Sequence, residues 1–223
     1  MTGPSLTLRF AEALLDRAAH RLSPAAATSA TELVCDGLAV AALGAHEPAP
    51  RHLAALAIEA GGVPAATLIA QGAPRLPAAA AARVNGAAMH VLDFEPMWNP
   101  ANHSLSTGLP ALLALAESLA CSGGAAPDGA RLLLALAVAV EAQARLRIAS
   151  GQFEPGRLLF HPPGMVGAIG AAAGCGILLG LDAPRLAHAM GIAASRSAGI
   201  IGNVGSMTKC LHCGDAAAGG LEA

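Results

Sequence analysis

The rare residues of this 223-residue chain are not spread evenly. The only tryptophan, Trp98, sits beside Asp93, Phe94, Glu95, Asn99, Asn102 and His103 in a Pro-interrupted loop between two Ala-rich stretches. A second polar island runs from Gly151 to Gly164 and carries His161 with two of the four Phe. A third, from Gly202 to Gly214, carries Lys209, Cys210, His212 and Cys213. Each island offers a general acid or base, and loops held on a rigid scaffold are where such groups are usually placed. Lys209 stands apart because the other 12 of the 13 basic residues are Arg. Arg keeps its proton near neutral pH, whereas a desolvated Lys can release it, so a lone Lys in an Arg-rich chain is a candidate for chemistry.

Each group also has a plainer role open to it. His103 and His161 precede helical stretches and can serve as caps or satisfied core imidazoles. Asp93 can be a loop carboxylate bonded to backbone amides, and Lys209 a surface lysine laid along apolar neighbours. Cys210-x-x-Cys213 lacks the second ligand pair of a structural zinc site and the strand context of a redox motif, so buried thiols are the expected reading and no metal is assigned. No phosphate-binding glycine motif is present.

The elements that must hold these islands are helical. The chain is 54% apolar, with 56 Ala against 4 Phe, 1 Trp and no Tyr, so small and aliphatic side chains do the packing, which favours close helices over sheets. Ser23-Pro24 reads as an N-cap opening a helix that stops near Gly44, its apolar face running through Leu33, Ala41 and Leu43. Further helices are expected over about 50–60, from Pro77 to Leu92, from Ser106 to Ala120, from Asp128 to Ile148, and from Pro163 and Asp182 onward, with an extended piece at Ala65–Ile69. Those from 130, 163 and 183 are apolar almost all round and are expected at the centre, with the arginines on outer helices. The expectation is therefore all-α, a single helical domain over residues 1–223. Leu158–Leu181 lacks Asp, Glu, Lys and Arg, but its Pro-interrupted start and Gly/Ala content favour a buried helix over a membrane span. A net charge of −2 with scattered arginines argues against nucleic acid. The absence of a basic-then-apolar leader and five widely spaced cysteines point to a reducing, cytoplasmic setting without membrane attachment.

Taken in order, Asn85-Gly86-Ala-Ala-Met-His90-Val-Leu-Asp93-Phe94, then His103, then Phe160-His161-Pro162, then Gly205-Ser-Met-Thr-Lys209-Cys-Leu-His212-Cys-Gly214-Asp resemble the MmgE/PrpD family. That family includes 2-methylcitrate dehydratases and cis-aconitate decarboxylases. The resemblance implies a largely antiparallel helical domain whose site is closed by a later α/β lid, in homodimers that work without a metal or iron–sulfur cofactor. It places Asp93, His103, His161 and Lys209 on the family's active-site positions, with Glu95, Met97, Ser206 and His212 as substrate contacts. The chain ends within an apparent helix, at Gly219–Ala223, so it is expected to be roughly the first half of such an enzyme, lacking the lid and returning C-terminal helices, or to pair with a lid-bearing chain.

The family's usual Asp-Phe-Asp-Asp-Thr reads Asp93-Phe94-Glu95-Pro96-Met97 here, and His-Pro-Thr-Gly-Thr reads His161-Pro162-Pro163-Gly164-Met165. Ser104 also follows His103 where Pro is common. Three hydroxyls are gone, which implies a substrate less polar than 2-methylcitrate. The expected reaction is dehydration of a small hydroxy-polycarboxylate through loss of an α-proton, with Lys209 and a cationic His161 stabilising the enediolate and His103, oriented by Asp93, moving the proton. Decarboxylation or isomerisation passes through the same carbanion. A truncated, non-catalytic helical subunit is the alternative of another class.

Overall fold

A computed structural model describes residue 3, residues 5–69, residue 72 and residues 74–223. Of the Met1–Pro4 stretch read for a leader, only Gly3 falls among them. The described residues form nine α-helices, namely α1 (Leu6–Ala18), α2 (Pro24–Gly44), α3 (Pro48–Ala60), α4 (Ala78–His90), α5 (Leu105–Cys121), α6 (Gly129–Ala149), α7 (Pro162–Leu179), α8 (Ala183–Ala194) and α9 (Thr208–Leu221). The all-α class holds.

Local chemistry explains most boundaries. Ser23, Asp128 and Asp182 each accept a backbone N–H from the residue three positions on, satisfying a donor that the first helical turn leaves unpaired. Gly180 closes α7 in the left-handed conformation. Helix α1, which composition alone did not mark, is capped in the same way by Ser5. Of the stretch Ala65–Ile69, Ala66 pairs with Leu76 in an isolated antiparallel bridge and Ile69 lies in a bend. Helix α5 begins at Leu105 and not at Ser106, and its N-cap residue Ser104 makes no side-chain capping bond.

The layering differs from the expectation in three places. Helices α4, α5, α7 and α9 form the centre, with α6 against α7. Helix α8 is peripheral, burying only Leu186, Ala189, Met190 and Ala193. On α2 the buried line runs through Ala30, Gly37, Val40 and Ala41, while Leu43 is exposed. Arg147 lies on α6 inside the protein, fully buried, against the expectation of arginines on outer helices. Two helices, Pro24–Gly44 and Pro162–Leu179, are long and apolar enough to cross a membrane by length and composition, and the second is 78% buried among its neighbours.

Small residues let the central helices approach closely. A Cβ on Gly214 of α9 would overlap the carbonyl oxygen of Arg83 on α4, and one on Gly220 would overlap the carbonyl oxygen of Ala168 on α7. Contact of this kind buries backbone against backbone and leaves no slack, so α9 is seated rigidly between α4 and α7. Everything α9 carries in its first turns is positioned by that seating.

Candidate active site

The three polar islands converge. Helix α4 ends at His90, and Asp93 takes a left-handed conformation at φ 59°, turning the chain back so that Glu95 points inward. The Glu95 side chain is fully buried. Its Oε1 lies 2.6 Å from His90 Nδ1, and its Oε2 accepts the Ser106 backbone N–H at 2.7 Å. Because Ser104 does not cap α5, this remote carboxylate satisfies one of the helix's first-turn donors and faces the positive end of its dipole.

Lys209 stands in the first turn of α9, and its Nζ meets Asp93 Oδ1 at 2.7 Å. The same oxygen lies 3.3 Å from His103 Nε2, while His103 Nδ1 is 3.6 Å from Glu95 Oε1. His161 occupies the N-cap position of α7 without a side-chain capping bond, donates its backbone N–H to Gly199 O at 2.7 Å, and brings its Nδ1 within 3.3 Å of His212 Nδ1. His90 links the two groups, its ring centroid 4.7 Å from that of His103 and 5.3 Å from that of His161.

The electrostatics set the protonation states. Burial works to raise the Asp93 pKa, but the hydrogen bond and charge of Lys209 outweigh it and hold the carboxyl below its ordinary range, so Asp93 is ionised. Burial lowers His103, with Glu95 the strongest opposing pull. Burial and the neighbouring imidazoles drive His161 down to about 3, and His212 is also lowered by burial, partly offset by Asp215. His161 is therefore neutral near pH 7, and the expectation of a cationic His161 is corrected: it can donate or accept a hydrogen bond, and Lys209 supplies the positive charge.

Asp93, His103, His161 and Lys209 are thus brought together, with His212 behind His161. Glu95 is corrected from a substrate contact to a buried anchor, since both of its oxygens are committed inside the protein. Met97 is exposed on the loop. Ser206, also exposed, spends its hydroxyl on Asn203 O and the Thr208 amide. His90, present in the motif that carries the resemblance, closes an Ala-rich helix, and residue type alone does not mark it as a site residue; its spacing of three residues from Asp93 is the signal that does. A polar network behind the loop is likewise unmarked by residue type. Gln143 accepts from Asn102 Nδ2 and Thr107 Oγ1 and donates to Ser104 O, Trp98 Nε1 donates to Ser104 Oγ at 2.9 Å, and Arg147 donates to Ala101 O, Ser150 Oγ and Gln152 O.

Two triplets bring ligand-type atoms within 4.8 Å of one another, His90 with His161 and Cys213, and His90 with Glu95 and His103. Metal binding at the first would require Cys213 to lose a proton that burial holds well above the usual thiol range. At the second, Glu95 already accepts from His90 and from the Ser106 amide. Cys210 and Cys213 do not form a site together: Cys210 Sγ donates to Met207 O, and both thiols are buried, as expected.

Comparison with known proteins identifies the family. The chain fits the family profile described as the MmgE/PrpD N-terminal domain over residues 8–223. It belongs to the MmgE/PrpD family. Among MmgE/PrpD relatives, the cis-aconitate decarboxylase of Homo sapiens is 42% identical over 149 residues, covering 67% of this chain and 31% of that protein. The Mus musculus cis-aconitate decarboxylase is 41% identical over 154 residues, with 67% and 30% covered. The Aspergillus terreus protein of the same name is 32% identical over 193 residues, with 85% and 39% covered. The chain therefore spans about a third of the length of the curated relatives it matches.

Proposed function

We propose that this MmgE/PrpD chain carries the proton-transfer half of a lyase that decarboxylates a small unsaturated polycarboxylate of the cis-aconitate type. The observation that supports this most directly is the Lys209–Asp93–His103 constellation, in which a cation, an ionised carboxylate and a neutral imidazole meet at one end of the helical core. Breaking the bond to a leaving carboxylate releases carbon dioxide and leaves an electron pair on the α-carbon, spread into a neighbouring carboxylate. Lys209 Nζ neutralises that developing charge, which is the step where fixed electrostatics contribute most. His103, neutral at rest, takes a proton from solvent at Nε2 and delivers it as the imidazolium to the carbon, so one proton is taken up per turnover. Neutral His161 donates a hydrogen bond to a substrate carboxylate.

The dehydration expected first would use the same groups, but the relatives' names favour carbon–carbon cleavage. Around the cluster, Phe94, Met97, Phe160, Ile200 and Met207 are exposed. Such an apolar rim supports a reading in which further polypeptide, in cis, from a lid-bearing chain or from a homodimer partner, covers the site.

The test is incubation with cis-aconitate, 2-methylcitrate and citrate, following carbon dioxide release and product NMR. The chain is assayed alone and together with polypeptide supplying the rest of the relatives' length. Carbon dioxide from cis-aconitate that is lost in Lys209→Ala supports the reading. Water loss from 2-methylcitrate without carbon dioxide replaces it with the dehydratase, and silence on every substrate leaves a non-catalytic subunit.

A further inference from the structure

His90 and Glu95 are buried ionisable groups to which the proposed reaction gives no step. Burying a carboxylate against an imidazole is costly unless both are well bonded, and an apolar pair would fill the same volume more cheaply, so the pair calls for a role beyond packing. Its neighbours indicate which. Glu95 Oε1, already bonded to His90 Nδ1, stands 3.6 Å from His103 Nδ1, and the His90 ring meets His103 edge to face at 71°. At 3.6 Å the approach is electrostatic and not a formed hydrogen bond, a spacing common in ligand-free sites whose contacts tighten on binding. His103 Nδ1 has no hydrogen-bond partner among the described residues. The opposite edge of His103 faces Asp93, whose charge is shared with Lys209. The groups facing His103 are thus Asp93 and Glu95 from the loop, His90 from α4 and Lys209 from α9.

We propose that His90 and Glu95 are a positioning pair for His103: Glu95, fixed by His90 and by the Ser106 amide, keeps the His103 proton on Nδ1, so that Nε2 is the nitrogen that exchanges protons on the Asp93–Lys209 side. A glutamate serves here where the family usually has aspartate because the extra methylene carries the carboxylate inward to the His90 and α5 anchors. The catalytic consequence rests on the decarboxylase reading; the tautomer does not.

The experiment is side-chain proton–nitrogen correlation NMR on protein with isotope-labelled histidine near neutral pH, alongside kinetics on cis-aconitate and thermal melts. In the wild type, His103 reads as the Nδ1–H tautomer. Glu95→Gln keeps the volume but removes the charge: His103 shifts toward the Nε2–H form, and kcat falls by about tenfold or more with KM changed by less than about threefold. His90→Asn, which keeps a donor near the Nδ1 position, stays close to wild type, whereas His90→Phe matches Glu95→Gln. If His90→Phe does not fold, the Glu95→Gln and His90→Asn pair decides. An unchanged His103 tautomer in Glu95→Gln overturns the proposal even if the protein decarboxylates. A shifted tautomer in a protein with no turnover upholds the positioning and removes only the decarboxylase reading.

Discussion

The loop between α4 and α5 has two faces built from opposite materials. Behind it, Trp98, Asn102, Ser104, Thr107, Gln143 and Arg147 interlock through neutral amides, hydroxyls, carbonyls and one guanidinium. In front of it, Asp93, Glu95, His90, His103, His161 and Lys209 are all titratable. Among the described residues the buried side-chain atoms without a hydrogen-bond partner are His90 Nε2, His103 Nδ1, Ser106 Oγ, Asn102 Oδ1 and Ser197 Oγ; the first two belong to the front and Asn102 Oδ1 to the back. A network of neutral hydrogen bonds fixes geometry, whereas unpaired imidazole nitrogens in a buried cluster are what proton chemistry can use. The back holds the loop, and the front carries the groups that can change protonation.

Variants on the two faces should separate cleanly. The largest effect is expected from Lys209→Ala, which removes the cation facing the developing charge and lowers kcat by about 10²- to 10³-fold. Its melting temperature should stay within a few degrees, because the Lys209–Asp93 pair is partly exposed and contributes little to stability. A matching collapse in stability would erase the distinction between the faces. Arg147→Met works on the other side: three acceptors lose a charged donor, and urea denaturation should show a loss of about 3 kcal/mol while the cluster's chemistry is untouched in kind. Gly214→Ala tests the seating of α9 and should cost about 2 kcal/mol by overpacking against the Arg83 carbonyl.

Acid sensitivity gives a smaller, graded test. His161 sits at about 3 in the folded protein, well below the ordinary histidine value, so between those values the unfolded chain binds more protons than the folded one. Stability then rises with pH: the contribution is fully present above the unfolded value and is lost as pH falls toward 3. His161→Asn should flatten that slope by up to about 1.4 kcal/mol per pH unit, measured by denaturation at stepped pH. The smallest effect belongs to neither face. Arg83→Ala breaks the exposed Arg83–Asp215 pair and should change stability by no more than about 0.5 kcal/mol.

Much of this was legible in the residues. Ser23, Asp128 and Asp182 announce helix starts because capping is local chemistry, and Asp93, His103, His161 and Lys209 stand out because they fall in polar islands between Ala-rich helices and Lys209 is the single lysine. What was not legible is direction. Nothing local states that Glu95 turns inward; that follows from the left-handed Asp93 and from an α5 terminus in need of an acceptor. Arg147 resembles any helical arginine until the loops it bonds are folded over it. The neutral state of His161 is likewise a tertiary property, arising from burial beside two other imidazoles.

The Lys209–Asp93 contact carries a consequence for recognition. With Nζ already engaged by a protein carboxylate, an incoming acid does not meet a free cation; it enters by exchange, one ion pair for another. The first carboxylate of a ligand therefore earns almost nothing, and discrimination passes to whatever its second and third carboxylates find. On the proposed polycarboxylate reading, Asp93 is a resident competitor that sets a threshold, favouring ligands with several charges over simple monoacids.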